Sequence, residues 1–112
     1  MGNPFANMPG GLNGMMKAAQ QAMKQAEQAE ADLANERVEA SSGGGVVRAI
    51  VTGKGEMIEV KIAKEVVDPS DVQLLEDLVT TAVRDALEKA NTIRTERLQK
   101  IMPGGGGMPG LF

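Results

Sequence analysis

The chain has 112 residues and a net charge of −3, with no Cys, His, Trp or Tyr; its two Phe stand at positions 5 and 112. That is the size of one small domain, and the missing residue types exclude zinc-finger ligation, a Cys–His or Ser–His nucleophile pair and imidazole acid–base catalysis. They also exclude the aromatic stacking platforms of RNA-recognition sheets and single-strand-binding barrels.

Met1 to Leu12 carries no apolar run of signal-peptide length, and no segment approaches the ~20 apolar residues of a membrane helix. The expectation is a soluble, intracellular, non-enzymatic domain with no membrane partner. The charges are unevenly spread. Residues 1–26 hold Lys17 and Lys24 and no acid, and residues 89–112 hold Lys89, Arg94, Arg97 and Lys100 against Glu96 alone. Residues 27–88 carry six basic and fourteen acidic side chains. The middle is acidic and both ends are basic.

Residues 1–14 are rich in Gly, Pro and Asn and residues 103–112 in Gly and Pro, a composition that buries little apolar surface and is costly to order. Both are expected to be flexible tails around a single domain at 15–102. From Met15 to about Asn35 the chain turns to Ala, Gln, Met, Lys and Glu, good helix formers. Met16, Ala19, Met23, Ala26 and Leu33 follow a 3-4 spacing, with Glu30 interrupting, which predicts an amphipathic helix. Without Cys or His beside it, the Met stripe reads as core rather than as soft-metal ligands.

Residues 36–62 change to period two. Glu36–Ser41 alternates weakly, Gly43-Gly44-Gly45 breaks it, and Val46–Thr52 is a β-branched strand. After Gly53-Lys54-Gly55, Met57–Ile62 alternates cleanly, with Ile58, Val60 and Ile62 on one face and Glu59 and Lys61 on the other. Three strands with two short Gly turns predict an antiparallel meander, one face buried and one largely wet. The Gly53-Lys54-Gly55 turn lacks the spacing of a phosphate-binding loop.

Asp68-Pro69-Ser70-Asp71 is a helix start, with an Asp cap, Pro in the first turn and a carboxylate at the third position. No breaker follows until Pro103, so about 33 residues, roughly 50 Å, can be helical at ~1.5 Å each. A seven-residue strand spans only about 23 Å, so this helix must overrun its sheet. Its first part is apolar on more than one stripe, and Leu75, Leu78, Val79, Val83 and Leu87 are the candidate core and dimer residues. An aromatic-free core of this size beside such a helix points to a second copy of the chain. Asp85–Lys89 and Glu96–Lys100 have the order of favourable i,i+4 pairs.

The succession helix, three-stranded meander, long capped helix resembles the YbaB/EbfC family of bacterial nucleoid-associated proteins. The resemblance lies in the Met/Gln/Lys/Ala helix, in Gly44-Gly45-Val46-Val47, in Thr52-Gly53-Lys54-Gly55-Glu56, and in Val60-Lys61-Ile62. It continues through Asp68-Pro69-Ser70-Asp71-Val72 into Leu74-Leu75-Glu76-Asp77-Leu78-Val79 and Ala82–Ala90. The first helix is less basic than the family pattern. The resemblance implies an α+β (α-β-β-β-α) fold, an intertwined tweezers-like homodimer, and projecting helices that grip double-stranded DNA with little sequence preference. It also implies altered DNA conformation, with roles in nucleoid organisation and gene regulation, in the cytoplasm at the nucleoid. If the two basic ends pair as an arm, Lys17, Lys24, Arg94, Arg97 and Lys100 cluster at its tip as the DNA-binding candidates. No cofactor, metal or small-molecule substrate is expected. The alternative is a non-enzymatic adaptor for DNA replication or repair machinery. An enzyme would have only Asp, Glu, Lys, Ser and Thr to draw on, in no recognisable spacing.

Overall fold

The computed structural model describes residues 11–101, in the order α1 (Gly11–Asn35), β1 (Arg37–Ser42), β2 (Val47–Thr52), β3 (Met57–Ile62), a single 3-10 turn (Lys64–Val66) and α2 (Val72–Ile101). The α+β class and the element order match expectation. The boundaries shift by a few residues. Helix α1 begins at Gly11, so four residues expected in the first tail are helical; residues 1–10 and 103–112, the rest of the two expected tails, lie outside the described residues, as does Met102.

The strands form one antiparallel sheet in the order β1-β2-β3. The β1–β2 turn works because Gly43, Gly44 and Gly45 all take positive φ, which costs a residue without Cβ nothing. Between β2 and β3 the register shifts, since Ile50 faces Glu59 but Val51 faces Met57. Ile58 is the extra residue of this bulge.

Helix α2 starts at Val72 rather than at Pro69. Asp71, not Asp68, is its cap: the Leu74 N–H donates to Asp71 Oδ1 at 3.2 Å. Asp68 closes the turn before it, accepting from the Ser70 N–H (2.9 Å) and the Ser70 hydroxyl (2.7 Å). The two aspartates look alike in sequence, and only the one adjacent to the first helical residue can reach the third helical N–H.

The core lies between α2 and one face of β1 and β2. Its fully enclosed members are Val47, Ala49, Val51, Ala82, Ala86 and Ala90, with Val38 nearly so. Leu75, Leu78, Val79 and Val83 are partly buried and pack against them. The deepest positions of α2 are nevertheless alanines, spaced four apart, which let the helix backbone approach the sheet closely. Ser42, at the end of β1, donates its hydroxyl to the Leu78 carbonyl at 2.6 Å and fixes α2 along the strand.

One expectation fails within the single chain. Ile58, Val60 and Ile62 are expected on a buried face, yet all three are exposed, as is Leu87. Helix α2 contacts β1 and β2. A helix ~10 Å wide covers about two strands spaced ~4.8 Å apart, which leaves the inner face of β3 open. On the opposite face, expected to be wet, Ile50 is only 4% exposed. Its strand neighbours are Glu39 and Glu59, and Arg48 pairs with Glu39 while Arg37 pairs with Glu59 across β2, each at 3.1 Å. Long charged side chains cover an apolar residue with their stems.

Candidate nucleic-acid interface

Helix α1 is anchored at its C-terminal end alone. Ala29 and Leu33 are its buried residues, and Ala22, Ala26 and Glu30 are half-buried on the same side. The packed line keeps Ala26 and Leu33 of the expected stripe, adds Ala22, Ala29 and Glu30, and leaves out Met16, Ala19 and Met23. Met16 and Met23 are exposed, which corrects their reading as core. Small side chains win that face because they let α1 lie close to α2, whereas the flexible methionines stay at the margin.

At roughly 1.5 Å per residue, the 25 residues of α1 span about 37 Å. From Leu12 to Gln25 the residues are exposed except Gly14, Met15 and Ala22. Lys17 and Lys24, one heptad apart, share one face of this stretch. Both are exposed, as is Lys100 in the last turn of α2. None of the three lysines forms an ion pair among the described residues.

The two arginines of the expected cluster differ from the lysines. Arg94 donates from Nε to Glu30 Oε1 at 2.8 Å, and Arg97 donates from Nη1 to Glu36 Oε1 at 2.5 Å. The structure brings both onto the side of α2 that meets α1, where each is matched by a carboxylate. Sequence reasoning missed Glu30 and Glu36 as partners. A signal existed: Glu30 interrupts an otherwise apolar line, and a half-buried carboxylate in such a line needs a cation.

The i,i+4 pairs suggested by the sequence do not form. Lys89 instead donates to the Glu39 carbonyl at 3.2 Å, and Arg84 lies 3.8 Å from its neighbour Asp85. On the outer sheet face, Arg37, Arg48 and Lys61 are matched by Glu39 and Glu59. Two carboxylates thus answer three cations on this face, Arg37 and Lys61 sharing Glu59, and the cations without carboxylate partners on the expected arm are lysines.

Among the described residues there is no cluster of three or more His, Cys, Asp or Glu able to hold a metal ion, and no helix long and apolar enough to cross a membrane. An open hollow of about 180 Å³ is lined by Gly45, Val46, Arg48, Lys61, Ile62 and Ala63.

Residues 8–106 match the YbaB/EbfC DNA-binding family. The chain is 44% identical over 111 residues to a nucleoid-associated protein of Ruminiclostridium cellulolyticum, covering 99% of this chain and 96% of the relative. It is 43% identical over 108 residues to a nucleoid-associated protein of Acetivibrio thermocellus, covering 96% of each. Among solved structures, an uncharacterized protein of Helicobacter pylori shares the fold at a TM-score of 0.55 and 23% identity, over 74% of this chain and 88% of the other.

Proposed function

Because the chain belongs to the YbaB/EbfC DNA-binding family, we propose that it binds double-stranded DNA as a nucleoid-associated protein, with little sequence specificity, through the basic parts of α1 and α2. The observation that carries this reading is the separation of charge. Lys17, Lys24 and Lys100 stand exposed on long helices and have no carboxylate partner among the described residues, whereas the sheet's cations are matched by Glu39 and Glu59. Unpaired cations on such a helix neutralise phosphates and release counterions, and phosphate contacts carry no base sequence. Arg94 and Arg97 belong to the same surface but begin from neutral pairs.

The working unit in this reading is a homodimer. The inner face of β3 offers Ile58, Val60 and Ile62 beside the uncovered Leu87 of α2, which lies next to Gly55. An open apolar sheet face continuous with a protomer's own core is the kind of surface a second copy covers. Two protomers then present two arms, and DNA held between them is bent or stiffened. Nucleoid organisation and gene regulation in the cytoplasm follow from that effect.

The test is fluorescence anisotropy of two duplexes of unrelated sequence, titrated with the chain at several salt concentrations. Similar affinities for both, falling linearly on a log–log salt plot, support the reading. Feeble binding at physiological salt would favour the protein-interaction adaptor instead.

A further inference from the structure

We propose that Glu30 and Glu36 compete with DNA phosphate for Arg94 and Arg97, so that duplex binding exchanges two ion pairs, which tie α2 to α1 and to the residue that follows it, for phosphate contacts. This rests on the DNA-binding reading above and adds a gate to the same site.

The two pairs have the properties such an exchange needs. Each joins residues that are distant in sequence, Arg94 in α2 to Glu30 in α1, and Arg97 in α2 to Glu36 just past the end of α1. Each is half in solvent: the side chains of Arg94 and Glu30 are 43% and 28% exposed, those of Arg97 and Glu36 36% and 40%. Pairs this exposed are held weakly. In each, one of the five guanidinium N–H groups is engaged. A phosphate offers the guanidinium the same two-oxygen acceptor pattern that a carboxylate does. The carboxylates are therefore stand-ins for the ligand, already seated.

In the free protein the arm's cationic field comes from Lys17, Lys24 and Lys100, because each Arg–Glu pair is neutral. First encounter with DNA is then by lysines alone. Closing on the backbone adds two arginines per protomer and, in the same step, releases α2 from Glu30 of α1 and from Glu36 just beyond it. Binding and the setting of the arm are thereby coupled through the same four side chains.

The test compares the full chain with Glu30→Gln/Glu36→Gln on one labelled duplex across a salt series. Glutamine keeps the size and an amide oxygen for the arginine, so the fold is preserved, and far-UV circular dichroism checks it. Glu27→Gln, which removes a like charge from an exposed position on α1 with no ion pair among the described residues, reports the general field effect. The proposal expects the double variant to bind more tightly than Glu27→Gln. The log–log salt slope should stay close to the parent's, because in both forms the same arginines neutralise the same phosphates in the complex. In an Arg94→Ala/Arg97→Ala background the same two glutamine substitutions should give no more than the Glu27→Gln effect. A parent chain that binds DNA while the double variant only matches Glu27→Gln, or binds more weakly, overturns the gate and leaves the DNA-binding reading standing. Failure of every form to bind duplex DNA overturns both.

Discussion

The Gly53 N–H donates to the Leu33 carbonyl at 2.9 Å, and a Cβ on Gly53 would stand 2.8 Å from both that oxygen and Leu33 Cδ2. This contact seats the last turn of α1 on the end of β2. Leu33 is fully buried there, and the Glu36 carbonyl accepts from the same N–H at 3.2 Å.

Gly53→Ala should therefore destabilise the protein although Gly53 does not need a positive φ. The obstacle is backbone as well as side chain, so relaxation must move α1. Overpacking of this kind costs about 1–3 kcal/mol. The neighbouring Lys54→Ala, at an exposed turn position, should stay within about 0.5 kcal/mol. Denaturant melts of the two variants check this; equal stability would mean that α1 is not seated on β2 as described.

The element order is readable in the sequence because its punctuation is strong: glycine turns at 43–45 and 53–55, and an aspartate-capped start to the long helix. Faces are harder to read than elements. Val38, Val47, Ala49 and Val51 alternate as a buried strand face should, but β3 alternates just as cleanly and its apolar face is open in the protomer. Alternation marks which side chains share a face, and a helix one element wide decides which strands are covered. Hydrophobic weight likewise draws attention to Leu75, Leu78 and Met16, while closest contact belongs to Ala82, Ala86, Ala90 and Ala29. Charge counting picks out the five basic candidates together but cannot separate the three lysines from the two arginines. That distinction depends on Glu30 and Glu36, which become neighbours of Arg94 and Arg97 only once α1 and α2 meet.

The turn ahead of α2 should show a specific acid response. The Ser70 hydroxyl, and secondarily the Ser70 N–H, donate to Asp68 and hold its carboxyl below the usual aspartate value. A folded-state pKa that is lowered means the turn's contribution is present above the unfolded value and lost as pH falls through the folded one. Carboxyl-carbon NMR should find the Asp68 midpoint low, and Ser70→Ala should raise it part of the way, the backbone bond remaining. An unchanged midpoint in Ser70→Ala would contradict the hydroxyl's role.

The dimer proposed from the open face of β3 has its own test. Val60 points from β3 to the same side as Ala49 and is 36% exposed in the protomer, so a charge there is tolerated by a lone chain. Buried against a second copy, an unpaired carboxylate is costly. Light scattering should find the parent dimeric at micromolar concentration and Val60→Glu shifted toward monomer, with its secondary structure kept. A monomeric parent would remove the two-armed reading.

If duplex DNA is held through its phosphates by the lysines of the arm, the salt dependence of binding must change when those lysines are removed. The decisive comparison sets Lys17→Ala/Lys24→Ala/Lys100→Ala beside the parent chain, with Glu56→Gln/Glu59→Gln as the sheet control. The lysine variant should bind all duplexes more weakly, and its log–log slope should flatten by about 0.9 for each phosphate it no longer neutralises. Its melting temperature should stay close to the parent's, since exposed charges add little stability. The sheet variant should bind at least as well as the parent. A lysine variant with the parent's slope and affinity, beside a sheet variant whose binding collapses, would refute phosphate capture by the arm.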